Sequence, residues 1–208
     1  MEKKQILEAY KKYWLENGQK PASVYFFCKT LEYNETEFYN LYNSFEAIEK
    51  EVWLDIFHST LSQLENDEIY KNYSAKEKLL AFYFLWVQKL KENRSYLLLQ
   101  KDKFKLSDLK DDTLETFRKA FYEYTGNLVR SGYETREIKE RKFISDKYAY
   151  GFWLQALFVL KYWIDDTSAN FEMTDAAIEK AVDLSFRLMG DNTLDSLLDF
   201  GKFILTKK

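Results

Sequence analysis

Proline occurs once, at Pro21, and glycine six times in 208 residues. Proline breaks helix interiors and strand-rich domains use many turn residues, so this scarcity favours long helices with short connections. Cysteine and histidine also occur once each, as Cys28 and His58. That rules out an internal disulfide framework and any ordinary Cys/His zinc site. No glycine-rich phosphate loop, nucleophile elbow or metal-ligand spacing occurs, so no catalytic residue, cofactor or metal is expected. Excess charge of one sign is missing too: the net charge is −3 and the pI about 5.5. Overall, then, the chain lacks the basic footprint of a nucleic-acid binder. Residues Met1 to Gln5 run into amphipathic helix without the apolar core of a signal peptide. Of the two strongly apolar segments, 79–87 is shorter than the roughly 20 residues a bilayer span needs. The other, 148–164, is interrupted by Gln155 and Lys161. A cytoplasmic protein with no membrane span is expected.

What the chain has in quantity is aromatic side chains: 17 Phe, 16 Tyr and 5 Trp, within an apolar content of 46%. That is ample for a sizeable core. Ile6, Leu7, Tyr10, Tyr13 and Trp14 recur at spacings of three and four, which predicts a helix over residues 3–16 stopped by Asn17-Gly18. Ser23 is placed to cap a short helix to Leu31, Asn34 another to Tyr42, and Ser44 a long one to Leu64. Ser74 and Glu77 form a capping-box pattern opening a helix to Glu92. Further helices are expected over 95–103, from Asp112 to Arg130, from Ser145 to Ile164, from Thr174 to before Gly190, and from Thr193 to Leu205. The polar connection 131–144 reads as the most mobile stretch. The expected fold is all-α: an N-terminal three-helix module and a C-terminal helical bundle, about nine to ten helices.

Helix, short helix, tight turn, short helix and long helix make a helix-turn-helix arrangement. Gly18 ends the first helix, Ser23-Val24 opens the second, and Phe27 takes its buried place. Tyr39 lies on the third, and Tyr42, Ser44, Ala47 and Ile48 lead into the fourth. In this spacing the segment from Ile6 to Ile48 resembles the DNA-binding region of the TetR family without a gap. Three positions depart from that pattern: Glu32 stands for the turn glycine, Cys28 for alanine, and Phe45 for the lysine after the serine. Glu32 forgoes glycine's free access to positive φ, and Phe45 removes a cation near phosphate. The resemblance implies a DNA-binding-like domain over 1–45 and a ligand-binding and dimerisation domain over 46–208. It further implies a homodimer joined through helices near 145–164 and 174–189, and operator binding to double-stranded DNA released by a small molecule.

Duplex affinity comes mostly from neutralised phosphates. From Asn34 to Tyr42 there is no Lys or Arg, and residues 1–50 hold seven lysines against eight glutamates. Ser23, Tyr25, Asn34, Thr36, Tyr39 and Asn40 remain the candidates for hydrogen bonds to phosphates or bases.

In the body, 79–90 and 148–164 are apolar almost all round, and helices of that kind must be surrounded. Phe82, Trp86, Phe117, Phe121, Trp153 and Leu157 are the candidates for lining a cavity for a hydrophobic small molecule. A filled core serves the same residues equally well, because interiors leave few voids. The run Tyr162 to Ser168, followed by Phe171 to Thr174, is similar, over a short stretch, to the TetR-like lipid-binding protein of coenzyme Q biosynthesis. This implies a second reading, a lipid or isoprenoid binder that keeps the fold with little or no DNA binding. Asp165, Asp166 and the hydroxyls around them read as helix caps and turn formers.

Overall fold

The computed structural model describes residues 2–101, 112–141 and 144–190. They form ten α-helices: α1 (Lys3–Asn17), α2 (Val24–Thr30), α3 (Glu35–Leu41), α4 (Phe45–Glu65), α5 (Glu68–Lys71), α6 (Ala75–Glu92), α7 (Arg94–Leu98), α8 (Glu115–Glu134), α9 (Tyr148–Asp165) and α10 (Glu172–Gly190). Single 3-10 turns lead into α8, α9 and α10, and no strand occurs among the described residues. The helix expected over 193–205 and the end of the one expected over 95–103 lie outside them.

The caps read from sequence on the first helices are made, whereas α10 opens at Glu172, ahead of Thr174, and Lys147 rather than Ser145 stands at the N-cap of α9. Gly18 stops α1 at φ 67°. Ser23 accepts the Phe26 amide at 3.1 Å, Asn34 the Thr36 amide at 2.8 Å, and Ser44 the Ala47 amide at 3.2 Å. Ser74 and Glu77 close their box reciprocally, at 2.8 and 3.2 Å. Each bond satisfies an amide that a helix start otherwise leaves orphaned. α5 was not foreseen; its cap is local too, Asp67 accepting the Ile69 amide at 2.9 Å.

The chain groups into two compact units, Met1–Thr60 with Gln88–Ala120 and Leu61–Val87 with Phe121–Lys208. In the first, Phe27 is fully buried at the meeting of α1, α2 and α3. The rings of Tyr10, Phe38 and Phe45 approach it edge-on at 6.0, 6.3 and 5.7 Å. α7 joins this unit through Tyr96, edge-on to Trp14 at 5.5 Å. Trp53 and Phe57 of α4 pack on Phe117 at 6.4 and 5.6 Å.

In the second unit the connection after α8 is more ordered than its composition suggests. α8 runs on to Glu134, and Ile138 and Arg141 are buried. Glu137 reaches back to accept the Ala75 and Lys76 amides at 3.0 and 3.1 Å, a second cap on α6. Arg141 donates to the Met189 carbonyl at 2.7 Å and the Tyr148 hydroxyl at 2.8 Å. Glu137 and Arg141 of this connection are thus engaged in tertiary hydrogen bonds that its polar composition does not announce.

The turn between α9 and α10 is held by Asp166, which accepts the Ser168 amide at 2.8 Å and the Thr174 amide and hydroxyl at 2.8 and 2.6 Å. Asn170 and Phe171 both take positive φ there, at 51° and 64°. Burial pushes the Asp166 carboxyl up, but the hydrogen bonds from Ser168 and Thr174 prevail and hold its pKa at about 2. A folded-state value below the unfolded one, near 3.9, adds stability that is present above about pH 4 and lost as pH falls through about 2. Replacing Asp166 by Asn should therefore destabilise the protein at pH 7 and by distinctly less at pH 3. Urea unfolding of both proteins at the two pH values measures this; an equal gap at both would refute it.

Candidate functional site

Two surfaces carry the chemistry the sequence points to. The first is formed by α2 and α3, which pack against each other. All six candidate DNA contacts lie on it or at its caps. Tyr25 is 62% and Tyr39 51% exposed, and Ser23, Asn34, Thr36 and Asn40 are exposed as well. Ser23 and Asn34 each already accept a backbone amide. Glu35 and Glu37 occupy the first turn of α3, while the cation on this pair of helices is Lys29, in the last turn of α2.

Nearby lysines are committed to the protein itself. Lys20 pairs with the carboxylate of Glu49, which is 1% exposed, and lies 5.3 Å over the Trp14 ring. Tyr10 donates its hydroxyl to the same carboxylate at 2.9 Å, and burial together with Glu49 pushes that phenol well up, so it stays a donor. Lys3 lies 5.3 Å over the Tyr42 ring, and Lys50 pairs with Glu115 at 3.2 Å. This drain on the positive charge was not visible in the sequence, because each pairing except that of Lys20 with Trp14 joins residues at least 29 positions apart.

The departures from the family pattern have structural answers. Glu32 takes φ 52°, the left-handed conformation for which the family uses glycine. Phe45 stacks on Tyr10 at 5.1 Å and closes the ring cluster around Phe27. Cys28 is buried, and burial, then Glu35, pushes its thiol up, away from the reactive thiolate.

The candidate ligand residues divide between the units. Phe82, Trp86, Phe121 and Trp153 come together in the second. Phe82 lies 6.0 Å from Trp86 and 5.6 Å from Phe121, and Phe121 lies 6.1 Å from Trp153. All four are buried, ring against ring. Phe117 belongs to the cluster of Trp53 and Phe57 in the first unit, and Leu157 is half-buried on α9.

The second surface is an apolar groove of about 720 Å³ along α9 and α10. Leu154 and Phe158 rise from α9, one turn apart and more than a third exposed; Leu184 and Met173 rise from α10 at 59% and 54%. Between them the floor is built of small residues, Gly151, Ala176, Ala177 and Ala181. The sequence marked these helices, but their separation into an inward face of Phe152, Trp153, Ala156, Val159 and Trp163 and an open face required the packing.

Among the described residues no helix is long and apolar enough to cross a membrane, and no cluster of three metal-ligating side chains occurs. Residues 78–204 match the family model described as "Tetracyclin repressor-like, C-terminal domain". The match spans more than half of the chain, which belongs to this TetR family. It shares no residue with the N-terminal segment 6–48 that carries the sequence resemblance, so the two observations are separate. No curated protein and no solved structure matches the chain.

The strained turn position is open to test. A side chain in the left-handed region costs about 1–2 kcal/mol, partly offset in glycine by its greater chain entropy. Glu32→Gly should raise stability by up to about 1 kcal/mol, and Glu32→Val, β-branched, should lower it by about as much or more. Urea midpoints decide; a destabilised glycine variant would show that Glu32 has a compensating role.

Proposed function

We propose that the protein is a homodimeric TetR-family transcriptional regulator. Residues 1–45 bind operator DNA as a helix-turn-helix domain, and residues 46–208 carry the dimer seam and a site for a hydrophobic small molecule whose binding releases the DNA. The observation that carries the reading is the open apolar face of α9 and α10, where large apolar side chains stand exposed together around a floor of small residues. Paired through that face, two copies bury it as a four-helix seam and present two α2–α3 surfaces, the arrangement a palindromic site requires. Tyr25, Thr36, Tyr39 and Asn40 supply hydrogen-bonding groups on those surfaces. Phe82, Trp86, Phe121 and Trp153, with Leu157, supply the apolar ligand contacts, reached by parting rings that otherwise lie in contact.

One observation favours a second reading, a lipid or isoprenoid binder with weak or no DNA binding: acids outnumber cations on the α2–α3 surface. Gel retardation of genomic fragments at low salt separates the two. The regulator retards a palindromic fragment, and Tyr39→Ala abolishes the shift. The binder retards none and carries a hydrophobic molecule detectable by native mass spectrometry.

The seam has its own test. Leu184→Glu places a carboxylate in the apolar face and should weaken pairing at least about 30-fold, equivalent to about 2 kcal/mol, with helicity unchanged. Analytical ultracentrifugation measures it, and an unaffected dimer would place the seam elsewhere.

A further inference from the structure

Most lysines of the first fifty residues are engaged within the chain. Lys3 lies over the Tyr42 ring, Lys11 pairs with Glu8 at 3.0 Å and Lys12 with Glu16 at 3.8 Å. Lys20 pairs with Glu49 and Lys50 with Glu115. Lys4 and Lys29 have no ion-pair partner among the described residues, and of these two only Lys29 lies on the α2–α3 surface. It occupies the last turn of α2 and is exposed. Tyr25 stands four residues earlier, on the same side of that helix, and is 62% exposed. Phe27 and Cys28, which lie between them in the chain, turn inward and are buried. The outward side of α2 thus carries an ammonium and a phenol about 6 Å apart along the helix.

That separation is comparable to the distance between neighbouring phosphates along one strand of a duplex. An ammonium on a flexible stem has three donors that can turn toward an anionic oxygen, and a phenol adds one more. Meeting phosphates, neither group distinguishes one base from another, so the two fix position rather than sequence. The ammonium also leaves a signature that a hydroxyl does not. Each neutralised phosphate releases counterions and adds about 0.9 to the slope of log affinity against log salt. With Glu35 and Glu37 in the first turn of α3, this one lysine carries the favourable charge of the surface.

We propose that Lys29 is the phosphate-neutralising residue of the α2–α3 surface, with Tyr25 donating to the adjoining phosphate of the same strand. The inference rests on the operator binding through α2 and α3 given above, and adds which side chains supply the sequence-independent part of the affinity.

The test measures fluorescence anisotropy of the full chain on two labelled probes over a salt series. One probe is the genomic fragment that the parent protein retards, the other a duplex of the same length and scrambled sequence. Lys29→Met should lower the salt slope by about 0.9 for each copy bound, so by about 1.8 for a pair. At low salt it should weaken both probes by the same factor, about tenfold or more. Lys29→Arg should restore the slope. Tyr25→Phe should weaken both probes and leave the slope as it is. Lys12→Met removes the same charge from α1 and should leave the slope unchanged. An unaltered slope in Lys29→Met overturns the assignment, as does an equal fall in Lys12→Met, which would make the effect one of net charge. A loss confined to the genomic fragment overturns it too, because Lys29 would then read a base. Undiminished binding by Tyr25→Phe removes the second half of the pair. If the parent protein binds neither probe at the lowest salt, operator binding itself fails and the assignment with it; that failure is told from the others because it appears before any substitution.

Discussion

Helix α9 carries more apolar surface than its own chain covers. Phe152, Trp153, Ala156, Val159, Leu160 and Trp163 are buried, yet Tyr150, Leu154 and Phe158 on the same helix stand more than a third exposed. At roughly 25 cal/mol per Å² of apolar area withdrawn from water, leaving such a face open forfeits several kcal/mol. The remaining features of the second unit follow from managing this helix. α10 packs along it, Phe186 meeting Phe152 at 6.0 Å, and the return turn is held by Asp166 rather than by glycine. That turn keeps Asn170 and Phe171 in the left-handed region, a strain tolerated because Asp166 satisfies Ser168 and Thr174 while Phe171 packs on Trp163 at 6.2 Å. The far end is secured by Arg141, whose guanidinium donates to the Met189 carbonyl near the end of α10 and to the Tyr148 hydroxyl at the start of α9.

The three N-terminal helices solve a different problem, that of building a core when two of them have only seven residues. Isolated helices of that length are unstable, so α2 and α3 persist through caps and through rings. Phe27 supplies the centre, and Phe45 adds to it a stacked contact with Tyr10 that a lysine would not. The family's cation has been exchanged for core. Glu49 makes a comparable exchange: a carboxylate 1% exposed is held in place by Tyr10 and Lys20, and binds α1 and the segment after it to α4.

Features decided within one turn of helix were legible in the sequence. Ser23, Asn34, Ser44 and the Ser74–Glu77 box act on amides two or three residues away, Gly18 donates its own amide to the Trp14 carbonyl four residues back, and the helix boundaries they predict are met. Features decided by tertiary partners were not. Glu137 caps α6 from 61 and 62 residues away, and Arg141 is buried only because Met189 and Tyr148 offer it acceptors. Read as a string, residues 131–144 are simply polar. The candidate ligand residues show the same limit. Their apolar character was evident, whereas their grouping, with Phe117 beside Trp53 and with Phe82 and Trp153 beside Phe121, depends on tertiary packing. His58 stands exposed on α4 beside the Phe57 ring.

Charge accounting determines what kind of recognition the α2–α3 surface can perform. Each phosphate neutralised by a cation contributes about 0.9 to the slope of log affinity against log salt. Lys20 is committed to Glu49, Lys50 to Glu115, and Lys3 to the face of Tyr42, while Glu35 and Glu37 flank the start of α3. Long-range attraction toward a duplex is therefore small, and on the proposed reading binding there would rest on groups acting at contact distance: hydroxyls, the Asn40 amide and the exposed rings of Tyr25 and Tyr39. Such contacts depend on geometry more than on charge.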